Sequence, residues 1–195
     1  MKTFALALAL MLPTLASAQQ GKSMGLPTAP LRMDLFDDFT CPHCKMLHEQ
    51  LLPKIIADFV TTGKAYLVFH EFTLTGPGHE HSKTASMYAA AAARVGKYQA
   101  VCDALFATQS SWAVSGKVWE AVSPALTAAE REKVQKLMSD PSIAAEVQKD
   151  LDQGVAAKVD RTPTMVMTRK GKVTPWSSWA DYGLFKSYAD LLLSK

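Results

Sequence analysis

Two cysteines separated by two residues, in Cys41-Pro42-His43-Cys44, stand where a short apolar run, Leu31 to Phe36, gives way to an amphipathic stretch. This junction constrains the fold more than any other feature of the chain, because it puts both thiols at the start of a helix that follows a strand. A helix N-terminus carries unpaired backbone N–H groups and roughly half a unit of positive charge, and both favour a thiolate over a thiol. The placement predicts that Cys41 ionises unusually easily and that the pair carries redox chemistry. A structural staple fits less well: closing a loop of about four residues is worth only ~2 kcal/mol, against about 3 for a 15-residue loop. A metal site fits no better. Cys41, Cys44, His43, His79 and His81 include ligand types, but a lone C-x-x-C supplies two ligands and no second pair with matching spacing follows.

The residues around the pair set out the rest of the order. Leu31, Met33 and Leu35 alternate into Phe36 as a strand, and Ala65 to Phe69 reads as a second. Between them Leu47, Leu51, Ile55 and Phe59 recur at four-residue steps, with Leu52 and Ile56 alongside, which predicts one buried helical stripe kinked at Pro53. From Ser82 to about Val159 the pattern is helical and alanine-rich. Ser82 is placed to cap a helix through Ala89 to Ala93, and Gly96 to end it. Tyr98, Val101, Cys102, Leu105 and Phe106 share one face of the next helix, making Cys102 a buried, inert thiol. Thr127 with Glu130 forms a capping box, and Asp140-Pro141 marks another helix start. His79-Glu80-His81 follows Gly76-Pro77-Gly78 and reads as a solvated loop. Thr164 to Thr168, the turn Arg169 to Lys172 and a return through Val173 predict a β-hairpin, and Tyr182, Phe185, Tyr188 and Leu192 a final amphipathic helix.

The start of the chain addresses its location. Lys2, the apolar run Phe4 to Leu15 and the small-x-small site Ala16-Ser17-Ala18 read as a secretory signal over residues 1–18, which points to the bacterial periplasm, where a disulfide persists. Its removal leaves 177 residues with 20 basic and 18 acidic side chains, enough for one domain and without a basic field for nucleic acid. Residues 19–30, rich in glycine and proline, predict an arm or loop.

Three segments carry a family resemblance. Asp38 to Lys45 resembles the active-site segment of the thioredoxin-fold disulfide oxidoreductases of the DsbA type. Leu105-Phe106-Ala107-Thr108-Gln109 with Trp112 is similar to a stretch of that family's helical insertion, and Thr162-Pro163-Thr164 to its cis-proline loop. The resemblance implies an α/β thioredoxin fold over residues 31–195: a mixed central sheet flanked by helices, with an all-helical subdomain inserted at about 79–158. Cys41 is then the attacking and leaving thiol and Cys44 the buried resolving thiol; Pro42 stiffens the turn between them, and His43 adds a ring that donates to or sits beside the Cys41 anion and favours it. Thr162 and a cis-Pro163 offer backbone to an extended substrate, and Phe39 lines the peptide groove. The implied partners are reduced secreted proteins and a membrane reoxidase of the DsbB type; neither cofactor nor metal is required. One position departs from the family pattern: a buried acid usually stands six residues before the first cysteine, and here that residue is Leu35. A disulfide isomerase or reductase of the same fold is the competing enzymatic reading, and a peptide-binding or metal-delivery module the non-catalytic one. Residues 19–30 are too short for the dimerisation domain that isomerases of this family carry, which favours a monomer.

Overall fold

The computed structural model describes residues 21–195; the signal-peptide reading at 1–18 lies outside the described residues. The first element was not expected. Ser23–Met24 forms a short strand, β1, antiparallel to the second central strand through Ser23↔Val68 and Met24↔Leu67. Two residues are too few to show an alternating pattern, and edge pairing uses backbone groups that every residue carries. Gly25 then lets the chain pass close to that strand: at its φ of 90° an added Cβ would stand 2.7 Å from the Ala65 carbonyl oxygen.

β2 (Leu31–Asp37) and β3 (Ala65–Glu71) run parallel, with Leu35 beside Phe69 and Asp37 beside Glu71. The chain between them begins with α1 (Pro42–Met46), turns π-helical over Leu47–Leu51, returns to α over Leu52–Ile55 as α2, and ends π-helical at Ile56–Val60. Pro53 therefore does not break this helix. It has no N–H to give, and the wide turn before it takes up the missing bond. The extra residue moves the buried stripe to Leu47, Leu52, Ile55 and Phe59, leaving Leu51 and Ile56 half-buried. The strict four-residue spacing expected for 47, 51, 55 and 59 fails for that reason.

Between β3 and the last two strands come α3 (Ser82–Ala93), α4 (Tyr98–Ala107), α5 (Gln109–Ser115), α6 (Val118–Val122), α7 (Ala128–Leu137) and α8 (Pro141–Ala156). Ala85 and Ala89 to Ala92 are fully buried in α3, their small side chains letting helices approach closely. Both bonds of the Thr127–Glu130 capping box are present, and Asp140 caps α8 ahead of Pro141. Ser82, by contrast, caps nothing. It is the first residue of α3, and its hydroxyl donates to Asp38 instead.

β4 (Thr164–Arg169) and β5 (Lys172–Trp176) make the hairpin, and α9 (Tyr182–Ser194) follows. The sheet runs β1-β3-β2-β4-β5, mixed in direction, with the helical insert between β3 and β4. Leu31, Met33 and Leu35 enter the main core with the redox helix and with Phe185 of α9, whose ring meets Phe59 edge-on at 6.0 Å. Phe36 points to the opposite face and joins a smaller cluster with Val159 and Val166. There α8 lies close enough that only glycine fits at 154: an added Cβ would overlap the Phe72 ring and come within 3.1 Å of Phe36. Gly154→Ala should accordingly cost about 1–3 kcal/mol, seen as a lower urea midpoint at unchanged slope. An unchanged midpoint would contradict this packing.

Candidate active site

β2 ends at Asp37, and the next four residues form a turn held by one carboxylate. Asp38 Oδ1 accepts the Thr40 N–H at 2.7 Å and the Thr40 hydroxyl; Oδ2 accepts the Leu74 N–H at 2.8 Å and the Ser82 hydroxyl. The Asp38 carbonyl accepts the Cys41 N–H at 3.1 Å, and the Asp38 N–H donates to Cys44 Sγ at 3.4 Å. The backbone of Asp38 thus touches both cysteines. Cys41 is the N-cap residue of α1, with Pro42 at the first helical position where an N–H would be unpaired anyway.

Cys41 is 6% exposed and Cys44 1%. His43 and Pro42 lie at the surface between them. Opposite stands the loop before β4, where the Thr162–Pro163 peptide is cis and the Cys41 thiol points at the Thr162 carbonyl, 3.6 Å away. Trp179 reaches this loop from the segment between β5 and α9, donating its indole N–H to the Pro163 carbonyl at 2.8 Å. His43, Met46, Arg161, Thr162, Pro163 and Trp179 wall an open groove of about 590 Å³ beside Cys41. Phe39 is not among them. It is 1% exposed, its ring packed on Phe106 at 5.1 Å, so it anchors the turn from beneath rather than lining the groove. An apolar ring placed two residues before the first cysteine is drawn into the core that the insertion completes.

The insertion grips the turn from the other side. The Gln109 side chain donates to the carbonyls of Phe39 and Cys41 at 2.7 and 3.0 Å, and Lys45 Nζ donates to the Phe106 carbonyl at 2.5 Å. The Cys44 thiol donates a hydrogen bond to Cys41, and Thr162 and the backbone of Cys44 and His43 add to this, pulling the Cys41 pKa down to about 5 despite its burial. Burial pushes Cys44 the other way, well above the ordinary thiol range, helped by Cys41 and by the neighbouring Asp37 carboxyl.

Leu35 is buried, as a strand residue of the core, but acids stand two residues further along. Asp37 is 5% exposed, its Oδ1 without a hydrogen-bond partner, and burial raises its pKa well above the carboxylate range. Beside it across the sheet Glu71 is fully buried, accepts the Tyr98 hydroxyl at 3.0 Å, and pairs with Lys22; burial lifts its pKa to about 7. Lys22 also pairs with Asp150, which with Asp34 holds the two nitrogens of His70 at 3.1 and 2.8 Å. These side chains are interior because α4 and α8 of the insertion lie against the end of β3 through Tyr98 and Asp150, which no local pattern announces.

Comparison with known proteins places this arrangement. The family model described as Thioredoxin matches residues 17–180. The chain belongs to the thioredoxin family. It is 23% identical over 156 residues to disulfide bond formation protein D of Bacillus subtilis (strain 168), covering 75% of this chain and 67% of that one. The crystal structure of oxidised BdbD from Bacillus subtilis superposes with a TM-score of 0.73 at 23% identity, covering 90% of this chain and 94% of that one. Wolbachia pipientis alpha-DsbA1 gives 0.72 at 20% identity, covering 95% and 94%. Within the thioredoxin family the chain thus has the DsbA-like fold, with the helical insert between β3 and β4.

In this thioredoxin-family protein Cys102 stays apart from the pair: it is buried, and burial raises its pKa well above the usual range. The sequence reading left four contributors unassigned: Gln109, Trp179, Asp37 and the residue pair Lys22–Glu71. Gln109 lay inside a recognised motif, so its position, though not its bonds, was available. His79 was read as solvated; its ring instead meets Thr40, Nδ1 to Oγ1 at 2.6 Å. Its neighbour Glu80 remains exposed as expected.

Proposed function

We propose that this protein is an exported thiol:disulfide oxidoreductase that donates the Cys41–Cys44 disulfide to reduced substrate proteins through a mixed disulfide. The observation that carries this reading is the opposition of the two sulfurs, Cys41 pulled down to about 5 and Cys44 pushed up. A substrate thiolate attacks Cys41 Sγ, the bond to Cys44 breaks, and its electron pair leaves on Cys44, which takes a proton. A second substrate thiolate then attacks the substrate sulfur of the mixed disulfide and expels Cys41 as a stable thiolate. Two electrons pass from substrate to the pair, and a good leaving group at Cys41 drives the transfer outward. Asp37 is the acid set to supply the proton to Cys44, since burial with its Oδ1 unpartnered raises its pKa well above the carboxylate range. The groove beside Cys41 receives an extended segment of substrate along Thr162. The signal-like residues 1–18 support export to the periplasm, and a DsbB-type membrane enzyme acting on a monomer completes the cycle by restoring the disulfide.

Titration tests this directly. The ultraviolet thiolate absorbance of the reduced protein should rise through a midpoint near 5, where an ordinary cysteine ionises at about 8.5. The sign for stability follows from the folded pKa lying below the unfolded one. Stabilisation of the reduced form is complete above the unfolded value, declines as the pH falls below it, and is gone below about 5. The reduced protein should therefore outlast the oxidised one by a margin that shrinks on acidification. A midpoint at the ordinary value, or a margin independent of pH, would remove the donor role.

A further inference from the structure

We propose that His79 is a positioning residue for the redox pair, acting through Thr40 and the buried carboxylate of Asp38; this rests on the reading of Cys41 as the attacking thiol. The Thr40 hydroxyl has one proton, and it faces Asp38 Oδ1 and His79 Nδ1 together. A carboxylate is acceptor only, so the hydroxyl donates to Asp38 and accepts from an Nδ1–H of His79. The resulting series, His79 to Thr40 to Asp38, joins the segment ahead of α3 to the turn ahead of α1. Ser82 and the Leu74 N–H bind the same carboxylate from the same segment. The Asp38 side chain is fully buried, so a lost donor is not replaced by free water.

The consequence for chemistry comes through the backbone. Asp38 gives its N–H to Cys44 Sγ and takes the N–H of Cys41, so the orientation of this one residue sets the spacing of both sulfurs. His79 is only part-buried, its side chain 27% exposed, and it closes the cluster at its outer end. Both the Nδ1–H neutral form and the imidazolium keep the donor, so this role does not depend on the charge of the ring.

The test is a double-mutant cycle on the full protein, with the glutathione equilibrium constant and the Cys41 thiolate midpoint as readouts. His79→Leu should shift the equilibrium toward the oxidised protein by about 3- to 10-fold, the range of one hydrogen bond, and move the thiolate midpoint upward. Thr40→Val, which also removes the hydroxyl's bond to Asp38, should shift both at least as far, and the double variant should go no further than Thr40→Val alone. His79→Asn, which keeps a donor near the Nδ1 position, should restore most of the equilibrium constant. The proposal is overturned if His79→Leu leaves both readouts unchanged while lowering thermal stability equally in the oxidised and reduced forms. Additive effects of the two variants, or no rescue by asparagine, would overturn it as well. Should His79→Leu fail to fold, the comparison of His79→Asn with Thr40→Val decides: asparagine near wild type and valine shifted supports the role, the reverse refutes it. An ordinary thiolate midpoint in the unsubstituted protein would instead refute the functional reading itself.

Discussion

Cys41→Ser reduces disulfide transfer to the uncatalysed background, while Cys44→Ser accumulates covalent complexes with substrate. Serine at 41 keeps the turn, because the side chain is small and its hydroxyl can meet the Thr162 carbonyl and the first-turn N–H groups as the thiol does, but an oxygen there forms no mixed disulfide. At 44 the loss is different. Cys41 still meets the substrate, but no second thiol remains to displace it, and the mixed disulfide persists until an outside thiol attacks. Oxidation of a reduced test protein, followed by mass spectrometry without reductant, reads both outcomes. Turnover by Cys41→Ser, or complexes formed through Cys44 in that variant, would reverse the assignment of the two sulfurs. Cys44→Ser should stay folded: the Asp38 N–H that meets the sulfur at 3.4 Å is available to a hydroxyl in the same place.

Lys22→Met should lower stability by about 3–5 kcal/mol, the usual cost of removing one partner from a buried ion pair. For a domain of this size that corresponds to a fall in Tm of roughly 6–20 °C. Lys22 lies just before the two-residue strand β1, yet its ammonium sits between Glu71 of β3 and Asp150 of α8 and so ties the first segment, the sheet and the insertion together. Without it two buried carboxyls face each other, and one must take up a proton to remain folded. Glu71's folded pKa, already raised to about 7, and Asp150's, held down in the intact cluster, both move up, so the deficit grows as the pH rises. Urea unfolding at about pH 4.5 and 7.5 measures the difference. A deficit that is the same at both, or below about 1 kcal/mol, would mean that the cluster is solvated and that Lys22 contributes little.

The sequence carried the architecture further than it carried the site. Alternation in Leu31 to Phe36, the capping box at Thr127 and the turn at Lys170-Gly171 each lie within a few residues, and each formed as read. The exceptions are instructive. Leu51 leaves the buried stripe because Pro53 widens the preceding turn, a backbone response that side-chain spacing does not encode. Phe39 and Asp37 go inside because α4 and the end of β3 cover them, and covering is a property of elements that are distant in sequence.

By itself the sequence determined that two thiols would share the first turn of a helix behind a strand, because their spacing and the apolar periods on either side act over a handful of residues. Only the tertiary structure decided which groups surround them. Lys22 meets residues 49 and 128 positions away, Gln109 meets carbonyls 70 and 68 away, and His79 meets Thr40 across 39. A polar residue reads the same in sequence whether water or a buried partner awaits it, and the folded chain alone supplies that partner.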